Sequence, residues 1–214
     1  MNPSLSVVIP AHNEEDCIKN TLEDLCHTLG KESIDFEVIV VNDHSTDTTG
    51  SILNRISQEN PRVKIFDNTE PNGYGFTVRT GFRHCQGDWV AVMMADASDD
   101  PKDLVRFFRE ANIKGTDAVF GNRFARGGKV VDYPTLKLLL NRLTNWIICL
   151  LFAIQYSDVT NAFKLYRNTT ISGLEPFLSH HFNLTVELPL KVIVRGYSYT
   201  VLPNSWHNRK SGVS

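Results

Sequence analysis

Residues 5–15 read Leu-Ser-Val-Val-Ile-Pro-Ala-His-Asn-Glu-Glu, and the change of character within this stretch decides the fold. Leu5 to Pro10 is a short, nearly unbroken apolar run, which predicts a buried strand. The chain then turns polar. Cys17, Ile18, Leu22, Leu25, Cys26 and Leu29 recur at helical spacing and predict a helix over 14–29. The same succession is repeated downstream. Strands are predicted at 36–41, 63–66, 89–94 and 117–120. Helices are predicted from a cap at Ser45 or Thr46 to about Glu59, over 75–85, and from Pro101 onward. Strands that alternate with helices predict an α/β fold: a Rossmann-like, mainly parallel sheet with helices on both faces. Ligands of such sheets sit beyond the carboxyl ends of the strands.

Those ends carry the polar residues. The first strand runs into Pro10-Ala11-His12-Asn13-Glu14, the second into Asn42-Asp43-His44-Ser45-Thr46, the fourth into Ala95-Asp96-Ala97-Ser98-Asp99-Asp100 and the fifth into Gly121-Asn122-Arg123. One such cluster is an ordinary turn or cap. Four on one edge point to a binding site. Asp43 and Asn13 suit a base edge and a ribose. Asp96 suits a divalent metal, since Mg2+ and Mn2+ prefer oxygen ligands and share phosphates with substrates. Asp99 and Asp100 read as helix N-terminal charges beside Pro101. His27 and His84 fall in helical stretches and read as structural.

Beyond Arg123 the pattern changes. Residues 126–133 read as a flexible loop, and an apolar helix starts near Pro134. Its stretch 138–154 contains Asn141, Arg142, Thr144 and Asn145. That is too short and too polar for a spanning helix, which takes about 20 apolar residues. The preferred reading is a buried helix; the alternative lays its apolar side on a bilayer surface. A second helix is predicted over 184–194, and a strand over 197–203.

The whole chain has 214 residues and a net charge of −2, so no global basic field points to nucleic acid. Four scattered cysteines lack zinc-ligand spacing and suit a reducing compartment. A dinucleotide enzyme calls for G-x-G-x-x-G after the first strand, where the sequence is PAHNEE. No G-x-S-x-G elbow supports a hydrolase.

Taken in order, SVVIPAHNEE (6–15), VIVVNDHSTDTT (38–49), NGYGFTVRTGF (72–82), GDWVAVMMADASDDP (87–101), FGNRF (120–124), SDVTNAFKLYR (157–167) and NRKSGVS (208–214) resemble the family-2 glycosyltransferases of the GT-A fold. The later segments are similar to the polyprenyl-phosphate branch, of the dolichol-phosphate mannosyltransferase kind. The resemblance implies one domain over 1–214, with a nucleotide-sugar half over 1–123 and an acceptor half over 124–214. It implies that Pro10, Ala11, His12, Asn13 and Glu14 line the nucleotide, with Val41 and Asp43 at base and ribose. Met94, Ala95 and Asp96 fall on the metal motif, and Ser98 stands beside it as a second metal position. Arg123 meets the phosphates at the reaction centre, Lys137 and Asn141 grip the lipid phosphate, and Arg209 closes over the diphosphate. Two departures stand out. Met94 occupies the place of the motif's first carboxylate, and the chain stops at Ser214, so a membrane-associating tail is expected to be missing.

The reaction so implied is inverting transfer of a hexose from a nucleotide diphosphate sugar (GDP-mannose or UDP-glucose type) to a polyprenyl or dolichyl phosphate. Mg2+ or Mn2+ is the implied cofactor. The implied location is peripheral, at the cytoplasmic face of a membrane. A soluble or polysaccharide acceptor, or a catalytically weak nucleotide-sugar binder, remains as an alternative. No nucleic-acid partner is expected.

Overall fold

The computed structural model describes residues 4–208. Its strands are β1 (Ser4–Ala11), β2 (Asp35–Asn42), β3 (Val63–Asp67), β4 (Trp89–Val92), β5 (Ala118–Asn122), β6 (Lys129–Val131), β7 (Lys164–Arg167), β8 (Tyr199–Pro203) and β9 (Ser205–His207). Seven of them form one sheet in the order β3-β2-β1-β4-β7-β5-β8, and β6 pairs with β9 apart from it. β1 is parallel to β2 and β4, β2 to β3, and β5 to β8. β7 alone runs antiparallel, to both β4 and β5. The sheet is therefore mainly parallel, as the alternating pattern predicts. The reversal of β7 has a topological effect. The amino end of β7 lies on the edge where the other six strands have their carboxyl ends, so the segment leading into Lys164 reaches that same rim.

The helices are α1 (Ile18–Lys31), α2 (Thr49–Glu59), α3 (Tyr74–His84), α4 (Pro101–Lys114), α5 (Thr135–Phe152), α6 (Asn168–Gly173) and α7 (Leu184–Val194). Side chains alternate across a strand, so β1 feeds two cores. Val7 and Ile9 join Leu22 and Leu25 of α1, Leu53 of α2 and Phe107 of α4. Val8 joins Val78 and Phe82 of α3, Ile171 of α6 and Leu188 of α7. Each such side chain contributes about 1.5–3 kcal/mol when fully buried. A Cβ on Gly81 would collide with the Val8 side chain, so glycine lets α3 lie directly on β1.

Local chemistry sets the helix ends. Asp100 caps α4 by accepting from the Lys102 N–H at 2.9 Å, Pro101 follows it, and Gly115 ends the helix in the left-handed region at φ 65°. α2 starts later than the predicted cap at Ser45 or Thr46. The Asp47 carboxylate takes the Thr49 N–H at 2.9 Å instead, and Ser45 Oγ accepts from the Asn13 N–H at 3.0 Å. Part of the predicted flexible loop, 126–133, is the strand β6, held by β9.

The predicted buried helix is corrected most. α5 buries Asn145 and no other residue. Leu136, Leu139, Leu140, Leu143, Trp146, Ile147, Leu150, Leu151 and Phe152 are exposed. By length and composition α5 is also long and apolar enough to cross a membrane, against the sequence reading that it is too short and polar.

Candidate active site

The polar rim is built as two neighbouring assemblies. The first joins the ends of β1 and β2. His12 Nδ1–H donates to the Asp43 carbonyl at 2.5 Å. Asn13, at φ 52°, accepts from the Thr46 N–H at 2.8 Å. The Glu14 N–H donates to Thr49 Oγ1 at 2.8 Å. The Asp43 carboxylate is buried, accepting from Asn68 Nδ2 at 2.7 Å and from the Gly73 N–H at 3.0 Å. Burial alone raises its pKa, but donors from Asn68, His44, Gly73 and Thr77 outweigh that and hold it below the usual carboxylate value. Asn13 and Asp43 thus spend much of their hydrogen bonding on the protein itself and fix the loops' shape. Val41 and Ala11 have their side chains in the core, so only their main chains remain for a ligand. Pro10 is half-buried at the same edge.

The second assembly is a cavity of about 890 Å³. It brings together Met94, Asp96, Ser98, Arg123, Lys137 and Asn141 from among the predicted residues. Residues 10–14, Val41 and Asp43 do not line it. The Ala95 side chain is also in the core, and its carbonyl accepts from Thr21 Oγ1 at 2.8 Å, which ties the loop to α1. Arg209 lies outside the described residues. Asn208 lines the cavity, and its N–H donates to the Val131 carbonyl at 3.0 Å.

Arg123 is not an open counter-charge. Nε and Nη2 donate to the two Asp158 oxygens at 2.9 and 2.7 Å, and the Arg123 N–H adds a third bond at 2.8 Å. Asp158 has no exposed surface. Burial works against the guanidinium charge, but Asp158 more than compensates and raises the pKa. Nη1 makes no hydrogen bond among the described residues. Asp158 carries no role in the sequence reading, because its partner lies 35 positions away, in the turn just beyond β5.

The loop after β4 holds two buried carboxylates. Asp96 Oδ1 accepts from the Ser98 N–H at 3.1 Å, across Ala97 at φ 57°. Asp99 Oδ2 accepts from the Met94 N–H at 3.2 Å. Asp99 is therefore no helix-terminal charge; Asp100 has that role, and Asp99 lines the cavity. Burial, aided by the Asp96 charge and opposed by the Met94 N–H and Arg123, pushes its pKa up to about 7. Ser98 Oγ is buried without a hydrogen-bond partner. No group of three His, Cys, Asp or Glu side chains able to hold a metal is present among the described residues.

α5 forms one wall of the cavity. Asn141 Nδ2 and Asn145 Nδ2 both donate to Thr160 Oγ1, at 3.0 and 2.9 Å, and the Thr160 N–H donates to Asn145 Oδ1 at 3.2 Å. This amide cluster pins α5 to the segment before β7. Lys137 is exposed, with Nζ 6.0 Å from the Tyr133 ring. Tyr133, Pro134, Lys137, Asn141 and Thr144 also line an adjoining groove of about 480 Å³ that continues past Leu136 and Leu140. The cavity therefore adjoins a shallow, mainly apolar groove.

Comparisons with known proteins bear on the family and the fold. A family model described as glycosyl transferase family 2 matches residues 6–184. The chain is 26% identical to polyprenol monophosphomannose synthase of Mycolicibacterium smegmatis, over 97% of this chain and 79% of that protein. It is 28% identical to dolichol-phosphate mannosyltransferase of Pyrococcus furiosus, over 80% of this chain and 48% of that protein, so it matches about half of the latter. Among solved structures, glucosyl-3-phosphoglycerate synthase from Mycobacterium tuberculosis with Mn2+, UDP and phosphoglyceric acid superposes with a TM-score of 0.74 at 16% identity, over 99% of this chain and 72% of that one. S. aureus TarS with UDP-GlcNAc gives 0.66 at 18% identity, over 98% and 60%.

Proposed function

Because the chain belongs to glycosyl transferase family 2, we propose that it transfers a hexose from a nucleotide diphosphate sugar to a polyprenyl phosphate, working as a peripheral protein at a membrane surface where nucleotide sugars are available. The relatives named as polyprenol- and dolichol-phosphate mannose transferases support this reading. The observation that carries it is the continuity between the two cavities. A charged chamber opens directly onto an apolar groove beside a helix whose outer face is apolar. A lipid phosphate needs both surroundings within one molecule.

The chemistry asks little of a general base. A phosphate monoester is largely dianionic at pH 7, its second pKa being about 6. The difficulty is to bring two anions together. Exposed Lys137, at the mouth of the groove, is the mobile cation for the acceptor phosphate, and Asn141 supports it from the same helix face. Arg123 is a rigid donor: Asp158 fixes the guanidinium plane, and Nη1 is left for a phosphate oxygen. The loops of residues 10–14 and 43–49 hold the nucleotide by shape and main chain, with Arg209 assigned to the diphosphate. Attack opposite the leaving group inverts the anomeric centre.

A divalent cation, Mg2+ or Mn2+, fits the loop after β4. Asp96 and the unpartnered Ser98 hydroxyl line one cavity and offer the hard oxygens such ions prefer. These two residues would hold it, and the bound ion would neutralise the leaving diphosphate.

The test is a product assay. The full chain is incubated with GDP-mannose or UDP-glucose and a short polyprenyl phosphate in detergent or vesicles. Glycosyl transfer to the lipid phosphate is the expected result. Transfer to free sugars, glycerate phosphates or peptides, with none to the lipid, would overturn the acceptor assignment.

A further inference from the structure

Met94 leaves the loop after β4 one carboxylate short if Asp96 is its only acidic ligand. The same cavity wall carries another. Asp99 is 6% exposed and lines the chamber with Asp96 and Ser98. Its burial has no structural purpose at the helix end, since Asp100 caps α4 and Asp103 supplies the first-turn charge. No cation forms an ion pair with Asp99 among the described residues, because Arg123 is committed to Asp158. A buried carboxylate is costly unless it is paired or coordinates a metal. Asp99 is also positioned for coordination. Oδ2 is tethered to the Met94 N–H, while Oδ1 accepts no hydrogen bond from any described residue. An independent feature lies between the two acids in the sequence: Ser98 Oγ, buried, unpartnered and part of the same wall. The main chain of β9 closes over the group, through the Asp99–Trp206 bridge and the His207 N–H donating to the Ser98 carbonyl at 3.0 Å.

We propose that Asp99 supplies the second protein carboxylate to a divalent cation held by Asp96 and the nucleotide diphosphate, in place of the acidic side chain that Met94 does not provide. Ser98 Oγ would complete the protein's share, and diphosphate oxygens and water would supply the remaining ligands. The proposal rests on the metal-assisted reading of the site given above. The arrangement uses a carboxylate three residues downstream of Asp96, where a left-handed Ala97 turns the chain back on itself.

The test reads the metal and not the reaction. Mn2+ binding to the full chain is followed by the loss of its free-ion electron paramagnetic resonance signal, with GDP and with UDP. Asp99→Asn keeps an acceptor for the Met94 N–H. It is expected to weaken Mn2+ binding at least tenfold, while leaving metal-free nucleotide affinity and the melting temperature near those of the parent. Mn2+ affinity within twofold of the parent overturns the Asp99 assignment and leaves the broader reading intact. A parent chain that binds no Mn2+ with either nucleotide, yet transfers sugar in excess chelator, overturns the metal reading itself. Should Asp99→Asn not fold, the parent labelled with ¹³C at the aspartate carboxyls answers the question by infrared difference spectroscopy. Two carboxylate bands shifting on Mn2+ addition support the proposal, and one overturns it.

Discussion

Asp158 has no solvent contact, and one arginine takes both of its oxygens. Removing either partner strands a buried charge, which costs about 3–5 kcal/mol. Asp158→Ala should therefore lower the urea-measured unfolding free energy by about that amount, and Arg123→Met in the same chain should recover part of it. A loss under 1 kcal/mol would show the pair to be solvated. Lys164 is a further buried ionisable group of this region. Its Nζ donates to the Val159 carbonyl at 3.0 Å, to the Thr185 carbonyl at 3.1 Å and to the Asn161 carbonyl. Burial lowers its pKa to about 7, with Asp158 and Asp99 opposing and Arg123 assisting. The unfolded chain, with an ordinary lysine pKa of about 10.4, then binds more protons than the folded chain between these values. This group accordingly makes stability rise as pH climbs from 7 to 10. Lys164→Met should remove that rise, as seen in the difference between parent and variant denaturation curves. A parallel pair of curves would place the amine's titration elsewhere.

At the scale of elements, α5 shows both what the sequence discloses and what it conceals. Its exposed residues 136, 139, 140, 143, 146, 147, 150 and 151 follow one helical stripe, while Asn141 and Asn145 turn inward to Thr160. The usual order, apolar inside and polar outside, is inverted. Periodicity reports that a helix is amphipathic and says nothing about which face meets the protein. β7 escaped for a related reason: it has four residues, one of them the buried Lys164, and it runs against its neighbours. The strands that could be read are β1 to β5 and β8, and among them β1, β2, β4 and β5 are apolar runs buried on both faces, which leaves a plain signature. Residues contributed by local loops, such as Asp96 and Asp43, were legible at the rim. Partners joined only by the reversal of β7, Asp158 and Thr160, were not. The exposed stripe yields a prediction. Leu139→Asp with Leu143→Asp should change the unfolding free energy by no more than about 0.5 kcal/mol, as exposed substitutions do. The same pair should cut binding to phospholipid vesicles at least tenfold in a sedimentation assay. Unchanged vesicle binding would remove α5 from the membrane contact.

Over the whole molecule, one sheet carries both the loop assembly at the ends of β1 and β2 and the cavity walled by α5 and the segment before β7, with β9 as a strap along that cavity. That strap is fastened at successive residues. The Ser205 N–H donates to Asp103 at 2.6 Å, and Trp206 packs 4.8 Å from the Tyr133 ring. Three tryptophans happen to sample the three environments. Trp89 is fully buried in the sheet, Trp206 lines the cavity, and Trp146 stands 62% exposed on the α5 stripe. A ligand in the charged chamber should alter Trp206 emission and leave Trp146 unchanged. An apolar surface meeting α5 should shift Trp146 to shorter wavelength, since its indole leaves water. Nucleotide diphosphate is therefore expected to quench the parent chain and to have no effect on Trp206→Phe. Vesicles carrying polyprenyl phosphate are expected to blue-shift both of these and not Trp146→Phe. Added together, lipid phosphate and nucleotide should change both signals, because cavity and groove share Lys137 and Asn141. A nucleotide response that survives Trp206→Phe and vanishes in Trp146→Phe would put the donor on the wrong side of the strap. The assignment of the donor diphosphate to the chamber and of the prenyl chain to the groove would then fail, whatever the reaction.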